Sequence, residues 1–131
     1  MNATVELLIV TAVLLVIAFV AIRFWQRHRE RQWLDETNAI VQPILAMLSL
    51  AQVDGQPVDK VWGRSLALMN YRMPVVPDIT VDAVRAAFTS VDASRLQLTD
   101  VWIRNHQVNI DVALMVNMST RGYVADLKRL N

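Results

Sequence analysis

The sequence predicts an α+β protein: one apolar N-terminal helix continues into a helical stalk, and a small β-α-β-β-α domain follows. Three observations carry this. From Leu7 to Ile22 no residue is charged, and Thr11 is the only polar side chain. Downstream, Trp33, Ile40, Ile44 and Leu48 recur on one stripe at helical spacing. Near the C-terminus Val108, Ile110, Val112, Leu114, Val116 and Met118 are apolar at every second position, the mark of a strand with one buried face.

The apolar run is first in chain order. At about 1.5 Å per residue, Leu7 to Ile22 spans roughly 24 Å, slightly less than a ~30 Å hydrocarbon core. Val5, Phe24 and Trp25 extend it, and Arg23 can snorkel to the headgroups. Residues 1–25 are therefore expected to form a transmembrane helix. A cleavable signal peptide is the competing reading, but its positive charges should precede the run and small residues should follow it. Here Arg23, Arg27, Arg29 and Arg31 follow, with Phe24 and Trp25 at the end. The positive-inside rule then places the C-terminal part in the cytoplasm and a very short N-terminus outside, in a single-pass inner-membrane protein. Anionic lipids would attract the same arginines. A net charge of +1, with the arginines gathered beside the span, speaks against nucleic acid as a partner. With no cysteine there is no disulfide and no thiolate metal site.

Residues 26–73 read as a juxtamembrane helical region. Pro43 lacks an amide donor and should kink or break its helix near Gln42. Asp54-Gly55-Gln56-Pro57 reads as a stop and restart, so a second helix is expected over 57–73, with Val58, Val61 or Trp62, Leu66 and Met69 facing inward. Met73 to Pro77 suits only a short edge strand. Residues 74–131 form the small α+β domain. Thr80 should cap a helix with Val81, Val84, Phe88 and Val91 inward. Leu96 and Leu98 share one parity, Val101 and Ile103 the other, and a bulge near Asp100 reconciles them. Arg104-Asn105-His106-Gln107 is the expected hairpin turn. Ser119 or Thr120 should cap a last helix bearing Tyr123, Val124, Leu127 and Leu130. The order is most of a ferredoxin-like split β-α-β unit, with both helices over one face of the hairpin.

No pattern of catalytic, metal-ligating or cofactor-binding residues is present. His28 and His106 have no second ligand at metal spacing, and the chain's three glycines form no phosphate loop. Asp78, Asp82, Asp92, Asp100 and Asp111 fall at helix starts and on strand faces expected to see solvent. Glu6 has two readings: a headgroup-level carboxylate, or an in-membrane partner for an opposite charge on another subunit. The stripe Trp33, Ile40, Ile44 and Leu48 should meet a second helix, between chains or by folding back on the helix expected after Pro57.

"VELLIV", followed by the apolar run and by Pro43, resembles the N-terminal helix of type IV pilins, which implies that Glu6 guides filament assembly. "VRAAFTSVDASRLQLTDVWIRNHQVNIDVALMVNMSTRGYVADLKRL" resembles the helix, hairpin and helix of PilN/GspL-type assembly-platform proteins of type IV pilus and type II secretion systems. That resemblance implies a periplasmic, dimerising ferredoxin-like domain. The expected function is a non-enzymatic scaffold in a larger inner-membrane assembly, contacting the bilayer and other subunits as a homo- or hetero-oligomer. A pilin-like filament subunit and an accessory subunit of a membrane enzyme are the alternatives.

Overall fold

A computed structural model describes residues 2–58 and 66–130. Its elements are α1 (Ala3–Met47), β1 (Gln56–Pro57), β2 (Leu68–Pro74), α2 (Val81–Phe88), β3 (Leu96–Arg104), β4 (Gln107–Leu114) and α3 (Met118–Leu130). The chain divides into two compact units, Met1–Gln32 and Trp33–Asn131.

The first unit is the N-terminal part of α1. Its described residues are exposed except the half-buried Arg29. By length and composition this helix is able to cross a membrane. Thr11 donates its hydroxyl to the Leu7 carbonyl at 2.8 Å, so the one polar group of the run is satisfied internally. At the far end the Arg23 guanidinium lies 5.2 Å from the Phe19 ring centroid, and Arg29 lies 5.0 Å from that of Trp25.

The second unit is built on an antiparallel sheet of order β1-β2-β4-β3. Alternation along the strands gives it two distinct faces. Met69, Tyr71 and Met73 of β2, Val108, Ile110, Val112 and Leu114 of β4, and Leu96 and Val101 of β3 point to one side. Over them lie α2, through Val84 and Phe88, and the C-terminal part of α1, through Val41, Ile44 and Leu45. Thr37 shares that buried face because its hydroxyl donates to the Trp33 carbonyl at 2.6 Å. On the opposite side Leu68 and Ala113 pack against Val124 of α3.

Several local expectations hold. Thr80 caps α2, its hydroxyl accepting from the Ala83 amide at 3.0 Å. Asn105 and His106 have φ of 53° and 60°, the left-handed pair of a type I′ hairpin turn. The register of β3 on β4 shifts between Leu98 and Asp100, where the bulge was expected.

Others are corrected. Pro43 does not break α1, which continues to Met47. The terminator is Ser49 (φ 59°): Leu50 N–H donates to the Leu45 carbonyl and Ser49 N–H to that of Ala46, a Schellman closure. Gln56 and Pro57 pair with Asn70 and Met69 and begin no helix. Residues 68–73, expected to be helical, are strand: Met69, Tyr71 and Met73 alternate with Asn70 and Arg72, and this period-2 burial outweighs the helix propensity of Leu and Met. Residues 59–65, including Val61 and Trp62, lie outside the described residues. Pro74 ends a central strand, not an edge one.

The face assignments change too. Asn109 and Ala113 are buried, so β4 is covered on parts of both faces. The strand stops at Leu114, and Met118, 87 % exposed, opens α3. Asn117 accepts from the Thr120 amide, while the Thr120 hydroxyl accepts from the buried Ala67 amide, tying α3 to the start of β2. Because α3 lies on the far face, the place expected for it beside α2 is taken by α1.

Candidate functional site

The sheet face that carries α3 at one end is mostly polar over the rest of its length, and the register sets its side chains in rows. The first row, Leu68, Ala113 and Gln97, lies at the α3 end. The next contains Gln56, Asn70, Asp111 and Asp100. Then come Arg72, Asn109 and Trp102, and finally Pro74, Gln107 and Arg104. An open depression of about 250 Å³ is lined by Arg72, Trp102, Arg104, Asn105, Gln107 and Asn109.

Hydrogen bonds within the rows fix the polar groups. Asn70 donates its side-chain amide to Asp111 Oδ1 at 2.7 Å, and Arg72 Nε donates to Asn109 Oδ1 at 3.1 Å. The second bond lets Asn109 sit at 5 % exposure without an orphaned oxygen. Asp111 directly opposes Asp100 across β3–β4, a like-charge pair. Burial pushes the Asp111 carboxyl above its ordinary range; the Asn70 bond pulls it back, and the Asp100 charge raises it further. Asp111 is therefore half-buried and engaged, contrary to the expectation of a solvent-facing side chain.

On the core side, Asn38 Oδ1 accepts from the Tyr71 hydroxyl at 2.6 Å and from the Gly55 amide at 3.0 Å. This one carboxamide joins α1, β2 and the loop before β1. Gln42 donates to Asp54 Oδ1 at 3.1 Å, adding a second tie from α1 to that loop. Burial first, and the Asp54 charge second, raise the Tyr71 hydroxyl well above its usual range.

The residues singled out from the sequence fall in both units. Glu6 lies in the first turn of α1, where a carboxylate suits the positive end of the helix dipole. Arg23, Arg27, Arg29 and Arg31 lie on the same helix within the first unit. The stripe falls in the second: Ile44 is 6 % exposed in the core, and Trp33, Ile40 and Leu48 pack partly buried against that core. His106 sits in the hairpin turn, and the His28 ring meets the Gln32 amide at 3.3 Å. Among the described residues no group of three or more His, Cys, Asp or Glu is placed to hold a metal ion. Arg72, Asn70 and Asn109 were missed because β2 was read as a helix. Their signal was the polar alternation of Asn70 and Arg72 between Met69, Tyr71 and Met73.

No family model, curated protein or solved structure matches this chain.

Proposed function

We propose that this chain is a non-enzymatic, membrane-anchored scaffold subunit. In this reading α1 holds it in a bilayer, the inner membrane of a bacterial-type cell, and the α+β unit docks neighbouring subunits. The observation that carries the proposal is the helix of the first unit, apolar and exposed, with its arginines gathered just past the apolar run. The part of α1 in the first unit has its apolar side chains exposed, which leaves them to lipid. The polar face of the sheet suits docking, with its side chains held in place by hydrogen bonds.

The strand order supports a ferredoxin-like reading. β4 lies between β2 and β3, and α2 connects these two strands. In that scheme the end of α1 takes the place of the second helix, and β1 that of the fourth strand.

The test is fractionation of the full chain. It should remain in membranes washed with alkaline carbonate, and Leu14→Arg with Ile17→Arg should release it. Recovery of the unmodified chain in the soluble fraction would overturn the anchor. Recovery in sheared extracellular filaments would instead establish the pilin-like alternative.

A further inference from the structure

Strand β3 is an edge of the sheet and nine residues long, whereas the opposite edge, β1, has only two. Edge strands of that length expose unpaired backbone groups, and proteins usually protect them. The hairpin geometry shows which groups of β3 are open. A two-residue type I′ turn at Asn105-His106 makes Arg104 and Gln107 the hydrogen-bonded closing pair. Antiparallel alternation then directs Trp102 inward to Asn109 and leaves the N–H and C=O groups of Val101 and Ile103 on the open side. The Val101 amide does turn away from the ladder, but in this residue, 4 % exposed, it donates at 2.8 Å to the Asp100 carboxylate, so a pairing strand must displace that carboxylate and free it to turn outward.

The side chains of this edge are self-complementary about Trp102. Asp100 lies two residues before it and Arg104 two after, while Val101 and Ile103 flank it directly. Ile103 is an exposed large apolar side chain at 38 %. Among the described residues neither Asp100 nor Arg104 forms an ion pair within the chain.

We infer that β3 pairs antiparallel with β3 of a second copy of this chain, about a two-fold axis at Trp102. In that register Trp102 faces Trp102 of the second copy, and Val101 exchanges both backbone bonds with Ile103 of the second copy. Asp100 faces Arg104 of the second copy, and both contacts occur twice, as an isologous interface requires. The outward backbone groups of Val101 and Ile103 match the hydrogen-bonded positions of this register, and Trp102 takes the non-bonded one. An Arg104 guanidinium arriving beside Asp100 also offsets its like-charge opposition to Asp111. This is edge-to-edge sheet extension, and it makes one continuous eight-stranded sheet from two four-stranded ones.

The inference names a partner for the proposed scaffold but does not rest on the membrane anchor, so it is tested both in membranes and in detergent. The chain has no cysteine, which leaves a clean background. Directly opposed residues at a non-bonded antiparallel position lie about 4.5 Å apart at Cα, within disulfide reach. Full-length Trp102→Cys should therefore form a disulfide dimer under mild oxidation in native membranes and in detergent. Gln97→Cys and Arg72→Cys, farther along or across the same face, should not.

Charge provides the decisive control. In the Trp102→Cys background, Asp100→Arg or Arg104→Asp alone should cut crosslinking at least tenfold, and the two together should restore it. Independently, Ile103→Lys in the otherwise unmodified chain should convert the dimer to a monomer in detergent by light scattering. Equal crosslinking at Gln97, Arg72 and Trp102 would overturn the pairing, as would a charge swap that fails to restore it. So would an unmodified chain that is monomeric by light scattering at micromolar concentration. Failure of the anchor alone would release the chain from membranes and leave the charge-swap pattern intact.

Discussion

Gly55 is held to glycine by Tyr71. A Cβ built there would lie 2.7 Å from the Tyr71 ring, closer than carbon atoms approach, and that ring is fully buried. Gly55→Ala must displace the ring or the loop, and with it the two bonds converging on Asn38. A loss of about 1–3 kcal/mol is expected in denaturant unfolding, as for other overpacked cores. Tyr71→Phe keeps the ring and removes only the hydroxyl, so its cost should be smaller, about 0.5–1.5 kcal/mol. The hydroxyl also links stability to pH. Its folded pKa is raised, so its contribution is complete below the ordinary tyrosine value of about 10 and is lost as pH rises beyond it. The unmodified domain should lose more stability between pH 9 and roughly pH 11 than Tyr71→Phe does. At Asp111 the sign is the same, but the window differs. The raised carboxyl favours the neutral form in the fold, so its ionisation destabilises above the usual carboxylate range of about 4. Asp111→Asn should raise the melting temperature at pH 7, and this gain should fade toward pH 3. Val112→Asp, one residue on at 0 % exposure, should prevent folding outright because it buries an unpaired charge.

At the level of elements, α1 contributes to both units. Its C-terminal part places Val41, Ile44 and Leu45 in the core of the second unit. At about 1.5–3 kcal/mol each, these three side chains contribute roughly 5–9 kcal/mol, much of the ~5–15 kcal/mol that stabilises a typical domain. A fragment of residues 33–131 should therefore fold cooperatively, and one of residues 49–131 should not, as circular dichroism and thermal melts will show. Ser49 closes the helix in a left-handed conformation that glycine adopts without strain, so Ser49→Gly should stabilise the domain by about 1 kcal/mol. The elements legible in the sequence were those specified by neighbours in the chain. Thr80 announced its helix by capping chemistry, Asn105-His106 its turn by tolerance of positive φ, and the parity change near Asp100 its bulge. β2 was illegible because Leu, Met and Ala favour helices, and only pairing with β4 makes Met69, Tyr71 and Met73 a buried row. The stripe on α1 was seen, but its centre was displaced. The buried line runs through Thr37, Val41 and Leu45, and a threonine satisfied by its own helix carries no apolar signal. The polar sheet face could not be found without β2, since each of its rows crosses that strand.

For the whole molecule, the proposed anchor carries an orientation, and charge and resemblance give opposite answers for the side on which the second unit would lie. Arg23, Arg27, Arg29 and Arg31 follow the apolar run, while residues 1–6 carry Glu6 and no Lys or Arg. In a membrane-anchored chain each such arginine would resist transfer across the bilayer, and anionic lipids of a cytoplasmic leaflet would attract it by about 1 kcal/mol per charge. Four such residues outweigh the single carboxylate of Glu6 on the other flank, since acidic residues count little in orientation. A C-terminal fluorescent-protein fusion should therefore be bright and a C-terminal alkaline phosphatase fusion inactive. If the arginines are the cause, the orientation must follow them. Replacing Arg23, Arg27, Arg29 and Arg31 by Gln while introducing Asn2→Lys and Thr4→Lys should invert the two reporters. An active phosphatase on the unmodified chain would instead favour the periplasmic placement that the assembly-platform resemblance implies. The β3 pairing would be unaffected by either result, because both copies lie on the same side.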